Sequence, residues 1–584
     1  MLFRSKQTVE ALASHIFERT AGNPFFAEEV VRTLIESGNL EGDRGSYRLV
    51  VPVERIEVPS NVQSLLAARI DNLAEDDKRL LQTAAVLGKE FSEPVLASVT
   101  KQSPEELAPI LQRLKAADFI YEETLYPVVE YAFKHPLTQA VALEGQLREN
   151  RRAVHERAAA AIEEDRHERL DEAAALIAHH WEGAGRSLEA ARWHARAADF
   201  IGKSDFAEEQ RHHRRVRELA RLVPESDEAP ALGADACRSI LALSFRVGVD
   251  DEERDAAFEE GLIWAKQTGE PFYEARVYQA MAVAVANRGS LDAAIAHGKN
   301  WQRIAATLPQ DDRRTVKNWP LINPMYRQGR LDELRLLCEW QVQETRENPE
   351  WGMRDWHVSA FADAVATLGL VEALQGHPQQ GADLAQQAID AARSVPELEG
   401  ESWGLLRRME IDLMMDDVEH ARRLVPRLIE IDERIGSLTT RSWIHINLGR
   451  LLLHEGRPDD ARKSLMIAEE MCSNYYQSDR SDAVTGLAQC SLALGETERA
   501  VALAEEALHE ATEMGASLFA LRAALTLAES LRASGAEPQL VQRALDKAES
   551  LIHETGAVFY GPRLVEAKNL TTVMRPTRYQ QGKE

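Results

Sequence analysis

The fold is decided by GETERAVALAEEALHEATEMG, Gly495–Gly515, in which a tight turn is followed by one long helix. Ala500, Ala504, Ala507 and Leu508 recur at the three- and four-residue spacing that places side chains on one face of a helix. The helical pattern SDAVTGLAQCSLALG precedes the turn, so the segment is predicted to form a helical hairpin. One hairpin cannot bury its apolar face alone, and we therefore expect neighbouring copies to stack.

The same turn, followed five positions later by a small or apolar residue, recurs along the chain. The turn residues are Gly289, Gly329, Gly376, Asp416, Gly456, Gly495 and Gly535, so successive turns lie 40, 47, 40, 40, 39 and 40 residues apart. Weaker copies near Ser204 and Asp251 extend the array to about nine hairpins. This period predicts an α-solenoid with a concave groove, and it resembles tetratricopeptide repeats, whose usual unit is about 34 residues.

Composition narrows the class of protein. The 584 residues carry 95 acidic and 69 basic side chains, a formal net charge of -26, which argues against nonspecific nucleic-acid binding because such binding needs clustered Lys and Arg. The cysteines Cys237, Cys338, Cys472 and Cys490 form no CxxC pair, which favours a reducing compartment over a disulfide framework. The sequence has neither a long uncharged apolar run nor a signal-peptide pattern, so we expect a cytoplasmic protein with no membrane contact.

Residues 1 to about 150 follow a different pattern. Helices are predicted near 60–73, 76–87, 92–99 and 104–117. Two short runs with strand composition, DFIYEE and VVEYAF, follow these helices and are joined by TLYP. Helices followed by a two-stranded hairpin are typical of a winged helix. The predicted fold class is therefore all-α, with a winged-helix-containing N-terminal module followed by a tetratricopeptide-like α-solenoid.

Three stretches carry a family resemblance. They are IFERTAGNPFFAEEVVRTLIE at 16–36, VPSNVQSLLAARIDNLAEDDKRLL from Val58, and YAFKHPLTQAVALE from Tyr131. These stretches resemble the segment that follows the nucleotide-binding core in bacterial signal-transduction ATPases of the STAND class, an AAA-like group. More narrowly, they are similar to the ATPase and tetratricopeptide modules linked to adenylate or guanylate cyclases and found in large LuxR-type regulators.

The resemblance implies three cofactor-binding residues, Gly22, Pro24 and His135. The GxP element that lies against adenine in that family corresponds to Gly22, Asn23 and Pro24, and the histidine that senses the nucleotide phosphate corresponds to His135. Gly allows close backbone approach and Pro offers a flat apolar surface. Pro136 replaces an acidic residue of the usual histidine motif, which weakens the phosphate assignment. The structural alternatives are an interhelical turn at 22–24 and a helix-starting histidine at 135.

Catalytic motifs are missing from the sequence. The only GK[ST] is Gly202-Lys203-Ser204, but Ala197 stands where a P-loop needs its first glycine, and the flanking residues read as helix. We find neither a Walker B strand nor a cyclase-like β-rich domain. Seven histidines between residues 150 and 215 lack an HExxH motif, so we interpret them as partner-facing or interhelical packing residues and predict no metal site.

These patterns predict four segments. They are 1–57, a remnant of the STAND helical domain; 58–160, the winged-helix module; 161–565, the solenoid; and 566–584, a tail expected to be disordered. The chain is predicted to be a noncatalytic regulatory and interaction part of a STAND-type ATPase. The solenoid is expected to bind a protein partner, peptide or inducer in its groove, and the winged helix is expected to couple to a nucleotide-binding core.

The expected partners include a separate nucleotide-binding or cyclase module. No cofactor is expected in this chain itself, whereas ATP or ADP with Mg is implied for an intact parent. One alternative is that the chain is a fragment of a multidomain cyclase or ATPase whose catalytic domains lie upstream of Met1. A second alternative is a transcription regulator, against which the acidic balance and the absence of an additional helix-turn-helix argue.

Overall fold

The structure, a computed structural model, describes most of the chain. The described residues are 4–42, 47–51, 61–124, 128–202, 204–309, 319–351, 358–395, 398–474 and 477–572. Over these ranges the chain is helical apart from short strands, which confirms the predicted all-α fold class. Internal contacts divide the chain into two compact units, unit 1 (Met1–Ala197) and unit 2 (Ala198–Glu584). The segments predicted from sequence are a different division and stay a prediction.

Unit 1 contains a helical scaffold and a small sheet. Its helices are α1 (Arg4–Thr20), α2 (Pro24–Glu36), α3 (Val62–Asp71), α4 (Glu75–Leu87), α5 (Glu93–Thr100), α6 (Pro104–Ala116), α7 (Pro136–Glu144), α8 (Arg148–Asp165), α9 (Leu170–Ala184) and α10 (Ser187–Ile201), which crosses the division. Its strands are β1 (Leu40–Glu41), β2 (Arg48–Leu49), β3 (Glu90–Ser92), β4 (Ile120–Thr124) and β5 (Glu130–Phe133).

The sheet beside α5 and α6 has three antiparallel strands. Their order is β3-β5-β4, with Phe91 opposite Tyr131 and Ile120 opposite Phe133. The hairpin β4–β5 lies where the sequence predicts it. Strand β3 is an addition that the pattern did not show, because three residues are too few to reveal an alternation. The assignment of this module to the winged-helix class stays a prediction.

Buried Arg69 ties α2 and α3 to the start of the β4–β5 hairpin. Its guanidinium binds Glu29, donates to Glu36 at 3.1 and 2.7 Å, and donates to the carbonyl oxygen of Ala117 at 2.9 Å. It also lies 4.7 Å from the ring centre of Phe119. Because an unpaired buried charge is costly, these contacts fix the packing of the three segments.

Unit 2 consists of α11 (Phe206–Ala220), a series of helical hairpins and a terminal helix. The hairpin helices are α12 (Ala229–Val247), α13 (Asp251–Thr268), α14 (Pro271–Asn287), α15 (Leu291–Ala305), α16 (Trp319–Gln328), α17 (Leu331–Thr345), α18 (Ala360–Leu374), α19 (Pro378–Ser394), α20 (Glu399–Met414), α21 (Val418–Ile435), α22 (Leu438–His454), α23 (Pro458–Asn474), α24 (Arg480–Ala493), α25 (Thr497–Glu513), α26 (Ser517–Ala533) and α27 (Pro538–Thr555). The last helix is α28 (Gly561–Thr572), so the predicted tail begins inside a helix and from residue 573 lies outside the described residues.

All seven predicted turn residues adopt left-handed backbone conformations. Their φ angles are 84° at Gly289, 72° at Gly329, 96° at Gly376, 60° at Asp416, 71° at Gly456, 77° at Gly495 and 71° at Gly535. Glycine enters this region without steric cost, and Asp is one of the few other residues that does so routinely. Each turn reverses the chain between the two helices of a hairpin.

The small residue five positions after the turn marks a close helix crossing. Ala294, Ala421, Ala461 and Ala500 are all fully buried. At Gly381, an added Cβ would lie 2.3 Å from the backbone oxygen of Gly369, so α18 and α19 cross at a pair of glycines.

The last turn departs from this rule. Leu540, the fifth residue after Gly535, is 41% exposed, whereas Val541 is buried. Helix α27 begins three residues after its turn, whereas the preceding second helices begin two residues after theirs. A shift of one residue rotates the buried face by about 100°, so Val541 occupies the position that Leu540 was predicted to hold.

Long-range ion pairs show that the array of hairpins winds back on itself. Arg246 of α12 donates to Glu399 of α20 at 2.6 Å, 153 residues away. Arg327 of α16 donates to Asp479 at 2.9 and 3.1 Å, 152 residues away. Both pairs are buried. The inner faces of distant hairpins are therefore in contact, and the concave side of unit 2 is a packed interior that encloses cavities.

Candidate functional site

Unit 2 contains a site-like cavity of about 820 Å³. Its walls come from α20, α22, α24 and α26 together with the segment 558–563. One part of the wall is apolar and includes Leu413, Met414, Leu453, Leu465 and Phe559. Its volume lies within the range of about 300–1,000 Å³ that is common for small-ligand sites.

Arg522, in the middle of α26, is the centre of the polar wall. It donates from Nη2 to Glu410 Oε1 at 2.5 Å and from Nε to the Tyr560 hydroxyl oxygen at 2.7 Å. Its Nη1 lies 3.3 Å from both carboxylate oxygens of Asp482. The Tyr326 hydroxyl oxygen is 3.3 Å from Nη2. One buried guanidinium thus joins α16, α20, α24, α26 and the short helical turn at 558–560.

Two further arginines complete the network. Arg450 donates from Nη2 to Asp482 Oδ2 at 2.5 Å, and its Nη1 is 3.5 Å from Glu410. Arg407 lies 3.6 Å from the other oxygen of Glu410, and its guanidinium carbon is 4.9 Å from the ring centre of Tyr326. Each buried carboxylate is therefore shared between at least two guanidinium groups.

These contacts keep the network ionised. Burial by itself would raise the pKa of the Glu410 carboxyl, but the charges of Arg522, Arg450 and Arg407 outweigh it, so the pKa is lowered. The same opposition, with Arg450 and Arg522 prevailing over burial, lowers the pKa of Asp482. Burial raises the pKa of Tyr326 to about 12, which keeps its hydroxyl protonated at neutral pH. Glu410 and Asp482 therefore stay charged at neutral pH beside the arginines.

The sequence missed this site. Arg522 interrupts the apolar run SLFALRAALTLA and Asp482 lies in RSDAVTG, so each is visible as a charged residue within a buried helix. A charge at such a position signals a buried partner. The partner's identity, however, depends on how distant hairpins meet.

The predicted cofactor-binding residues lie in unit 1. Gly22 has φ +74° and is followed by Asn23, whose side-chain oxygen accepts a hydrogen bond from the Phe26 N–H at 3.2 Å and caps α2. Pro24 is the first residue of α2, a position that needs no N–H donor. Gly22 and Pro24 are exposed. The GxP element is therefore a capped turn between α1 and α2.

The structure brings His135 to this turn through a residue that the sequence did not single out. The rings of His135 and Phe25 stack with centres 3.7 Å apart and planes 9° apart. His135 Nδ1 also accepts a hydrogen bond from the Leu137 N–H at 3.1 Å and caps α7. The aromatic residue after Pro24 was the available signal. The nucleotide roles of Gly22, Pro24 and His135 stay predictions.

The histidines form a close pair in unit 1. His155 Nδ1 and His180 Nδ1 are 3.0 Å apart, so one ring donates an N–H hydrogen bond to the ring nitrogen of the other. Burial lowers the pKa of His155 to about 4 and that of His180 to about 3. Within the described ranges, no group of three or more His, Cys, Asp or Glu side chains is arranged to hold a metal ion. The same ranges contain no helix with the length and apolarity of a membrane span.

No protein-family model matches the chain, and no curated protein matches its sequence. Solved structures with a similar course of helices include a STAND protein with a tetratricopeptide repeat sensor from Pyrococcus horikoshii, at 13% identity and TM-score 0.40, covering 96% of this chain and 71% of that one. They also include a Rap protein complexed with Competence and Sporulation Factor, at 12% identity and TM-score 0.34, covering 67% of this chain and 100% of that one. PlcR from Bacillus thuringiensis, in complex with the peptide PapR7 and DNA, has 8% identity and TM-score 0.31, covering 41% of this chain and 99% of that one.

Proposed function

We propose that this chain is the noncatalytic sensor and coupling part of a STAND-type signal-transduction system. Unit 2 binds a small ligand or a short segment of a partner protein in its 820 Å³ cavity. The N-terminal helices and the winged-helix module couple to a nucleotide-binding core that lies elsewhere. The observation that carries this proposal is the cavity itself, whose lining combines apolar side chains with buried, mutually paired charges.

The construction of the cavity supports a sensor role. Its walls are supplied by hairpins that are far apart in sequence, and Arg522 alone connects residues as distant as Tyr326 and Tyr560. A ligand in the cavity therefore contacts several hairpins at once and stabilises the arrangement in which they meet. Differential binding to two arrangements is what shifts a conformational equilibrium.

The nucleotide part of the proposal rests on family resemblance and on access. Gly22 and Pro24 are exposed and are therefore accessible to a nucleotide-binding core. His135 uses Nδ1 to cap α7, which leaves Nε2 as the atom for a phosphate contact. ATP with Mg, when bound to the core, would supply the phosphate group that His135 contacts. Within this chain, Phe25 holds the His135 ring parallel to its own.

The sensor role is tested by filling the cavity. Met414 lines the cavity and is partly buried, whereas Met466 is 54% exposed and lies outside it. The purified chain is melted in the presence of di- to hexapeptides and small organic acids, amines and sugars. We expect at least one compound to raise the Tm of the wild type and of Met466→Trp but not of Met414→Trp. If no compound does so, unit 2 is not a ligand sensor of this kind.

The noncatalytic role is tested on the same material. Isothermal titration with Mg-ATP and a phosphate-release assay are expected to show neither micromolar binding nor turnover. Either result, if positive, would show that the chain carries a nucleotide site of its own. An in-frame GxxxxGK[ST] motif upstream of Met1 would favour the alternative of a larger enzyme. Retardation of duplex DNA at low salt would favour the transcription-regulator alternative.

A further inference from the structure

The charges that line the large cavity indicate what kind of ligand it takes. The lining contains three guanidinium groups, Arg450, Arg522 and Arg563, two carboxylates, Glu410 and Asp482, and the imidazole of His454. Each guanidinium has five N–H donors, whereas each carboxylate offers only acceptor sites. The lining therefore has more donors than acceptors.

The two carboxylates are already engaged. Glu410 Oε1 accepts from Arg522 at 2.5 Å, and Asp482 Oδ2 accepts from Arg450 at 2.5 Å. A cationic ligand would compete with these buried arginines for the same two carboxylates. An anionic ligand displaces neither of them, because it adds an acceptor to guanidinium groups that still have donors to offer.

Arg563 lines the cavity and is held in place by an ion pair with Glu529. It donates from Nε and Nη2 to the two oxygens of Glu529 at 2.8 and 2.7 Å. These two parallel bonds fix the plane of the guanidinium, and Glu529 itself lies outside the cavity lining. The side chain is about one-third exposed, so it remains accessible to a ligand.

The rest of the lining is mainly apolar. Leu413, Met414, Leu453, Leu465 and Phe559 offer hydrocarbon surface beside the arginines. Burying an apolar ligand against such a wall is favourable because it removes hydrocarbon surface from water. A polar ligand such as a free sugar has no hydrocarbon surface to bury against this wall.

We propose that the cavity binds an apolar carboxylate. The hydrocarbon part of the ligand lies against the apolar lining residues, among them Leu413 and Phe559. The carboxylate of the ligand is bound by Arg563 and Arg450. The same chemistry is present in a free carboxylic acid with an apolar chain and in the C-terminal carboxylate of a short apolar peptide. This inference rests on the proposed sensor role of unit 2 and narrows the ligand class.

The test compares each carboxylate with its neutral analogue on the full chain. Isothermal titration calorimetry is done with octanoate against octanamide, and with the peptide Ala-Leu-Leu-Phe against its C-terminal amide. We expect at least one carboxylate to bind about tenfold or more tightly than its analogue, since a charged hydrogen-bonded group contributes about 1.5–3 kcal/mol. A difference for octanoate identifies the ligand as a free carboxylic acid. A difference for the peptide identifies it as a peptide with a C-terminal carboxylate.

Variants locate the carboxylate. Arg563→Gln is expected to abolish the difference between carboxylate and amide, and Arg563→Lys to retain part of it. Arg462→Gln is the matched control, because Arg462 is also partly buried and paired with a glutamate, Glu496, but lies outside the cavity lining. Arg450→Gln repeats the test from the other side of the site, with circular dichroism to confirm folding.

The outcomes separate the two proposals. Equal binding of carboxylate and amide, or folded Arg563→Gln and Arg450→Gln variants that keep the full difference, would overturn the ligand class. A ligand of another class whose effect on the Tm is lost in Met414→Trp would also overturn the class but leave the sensor role in place. The sensor role itself fails only if no compound acts through the cavity.

Discussion

Arg69 in unit 1 and Arg522 in unit 2 are buried arginines that each bind two carboxylates, and they differ in reach. The Arg69 side chain is 3% exposed and that of Arg522 is 8% exposed. Each lies near a phenylalanine ring, Phe119 at 4.7 Å and Phe519 at 5.8 Å. The partners of Arg69 are 33 to 48 residues away, whereas those of Arg522 are 38 to 196 residues away.

The difference in reach indicates a difference in role. Arg69 joins segments that already adjoin one another in a small folded unit, so its contacts mainly maintain that fold. Arg522 joins hairpins that meet only because the array winds back on itself, and it also forms part of the wall of a cavity. The buried charge of Arg522 is therefore sensitive to any movement of the hairpins and to any ligand that enters the cavity. The same chemistry therefore supports a scaffold in one unit and a binding site in the other.

The largest effect is expected at Arg69. Arg69→Met leaves buried Glu29 without the arginine that binds it, and removing one partner of a buried ion pair typically costs about 3–5 kcal/mol. Hydrogen exchange of the α2 and α3 amides should show this loss of protection free energy. The control Arg48→Met, at an exposed pair with Glu41, should change it by less than about 0.5 kcal/mol. Equal effects of the two variants would contradict a scaffold role for Arg69.

A smaller loss is expected at Arg522. In Arg522→Met, Glu410 keeps Arg450 at 3.5 Å and Arg407 at 3.6 Å, so its charge is not left alone. We expect a loss of about 2–3 kcal/mol, below that at Arg69, because the buried charge is only partly uncompensated. Faster exchange should extend to α16 and to residues 558–560, which Arg522 contacts. Exchange changes confined to α26 would argue against a role in joining distant hairpins.

Acid is expected to weaken unit 1 through His180. The His180 side chain is fully buried, and burial lowers its pKa to about 3 from 6.5. The unfolded chain therefore binds a proton that the folded unit does not, so stability falls as the pH drops from about 6.5 toward 3. The slope is up to about 1.4 kcal/mol per pH unit for this residue.

The pH effect is measured by denaturant unfolding of unit 1 between pH 7 and pH 5. His180→Phe should flatten the dependence, and His167→Gln, at an exposed position, should leave it unchanged. His155, His297 and His445 also have lowered pKa values, caused mainly by burial, so the difference between variants and not the total slope is decisive. If the unfolding free energy of His180→Phe depends on pH as steeply as that of the wild type, this prediction is wrong.

The smallest effect is expected at the repeat turns of unit 2. Asp416 has φ +60° where the six other turn positions have glycine. Asp416→Gly should stabilise unit 2 by about 0.5 kcal/mol, because glycine removes the steric cost of the left-handed conformation. The adjacent Asp417→Ala should destabilise it by about 1 kcal/mol, since Asp417 caps α21 through the His420 N–H. Thermal melts that follow unit 2 would show opposite signs for the two variants.

The helical array was predictable because its signals are local. A left-handed turn needs glycine or aspartate at one position, and a close crossing needs a small side chain five residues later, so both appear in a single stretch of sequence. Leu540 shows the limit of this reasoning, because a helix that begins one residue later changes which side chain is buried. Strand β3 shows another limit, since three residues carry no usable period.

The sequence by itself determined the hairpins, their turns and the all-α class of this protein, because each depends on residues that lie within one repeat of one another. Only the tertiary structure decided that Arg522 meets Glu410, Asp482, Tyr326 and Tyr560, and that a cavity lies beside them. It also placed Phe25 on His135, 110 residues apart. The physical reason is that these contacts depend on how successive hairpins rotate against one another, and small rotations add up over the array.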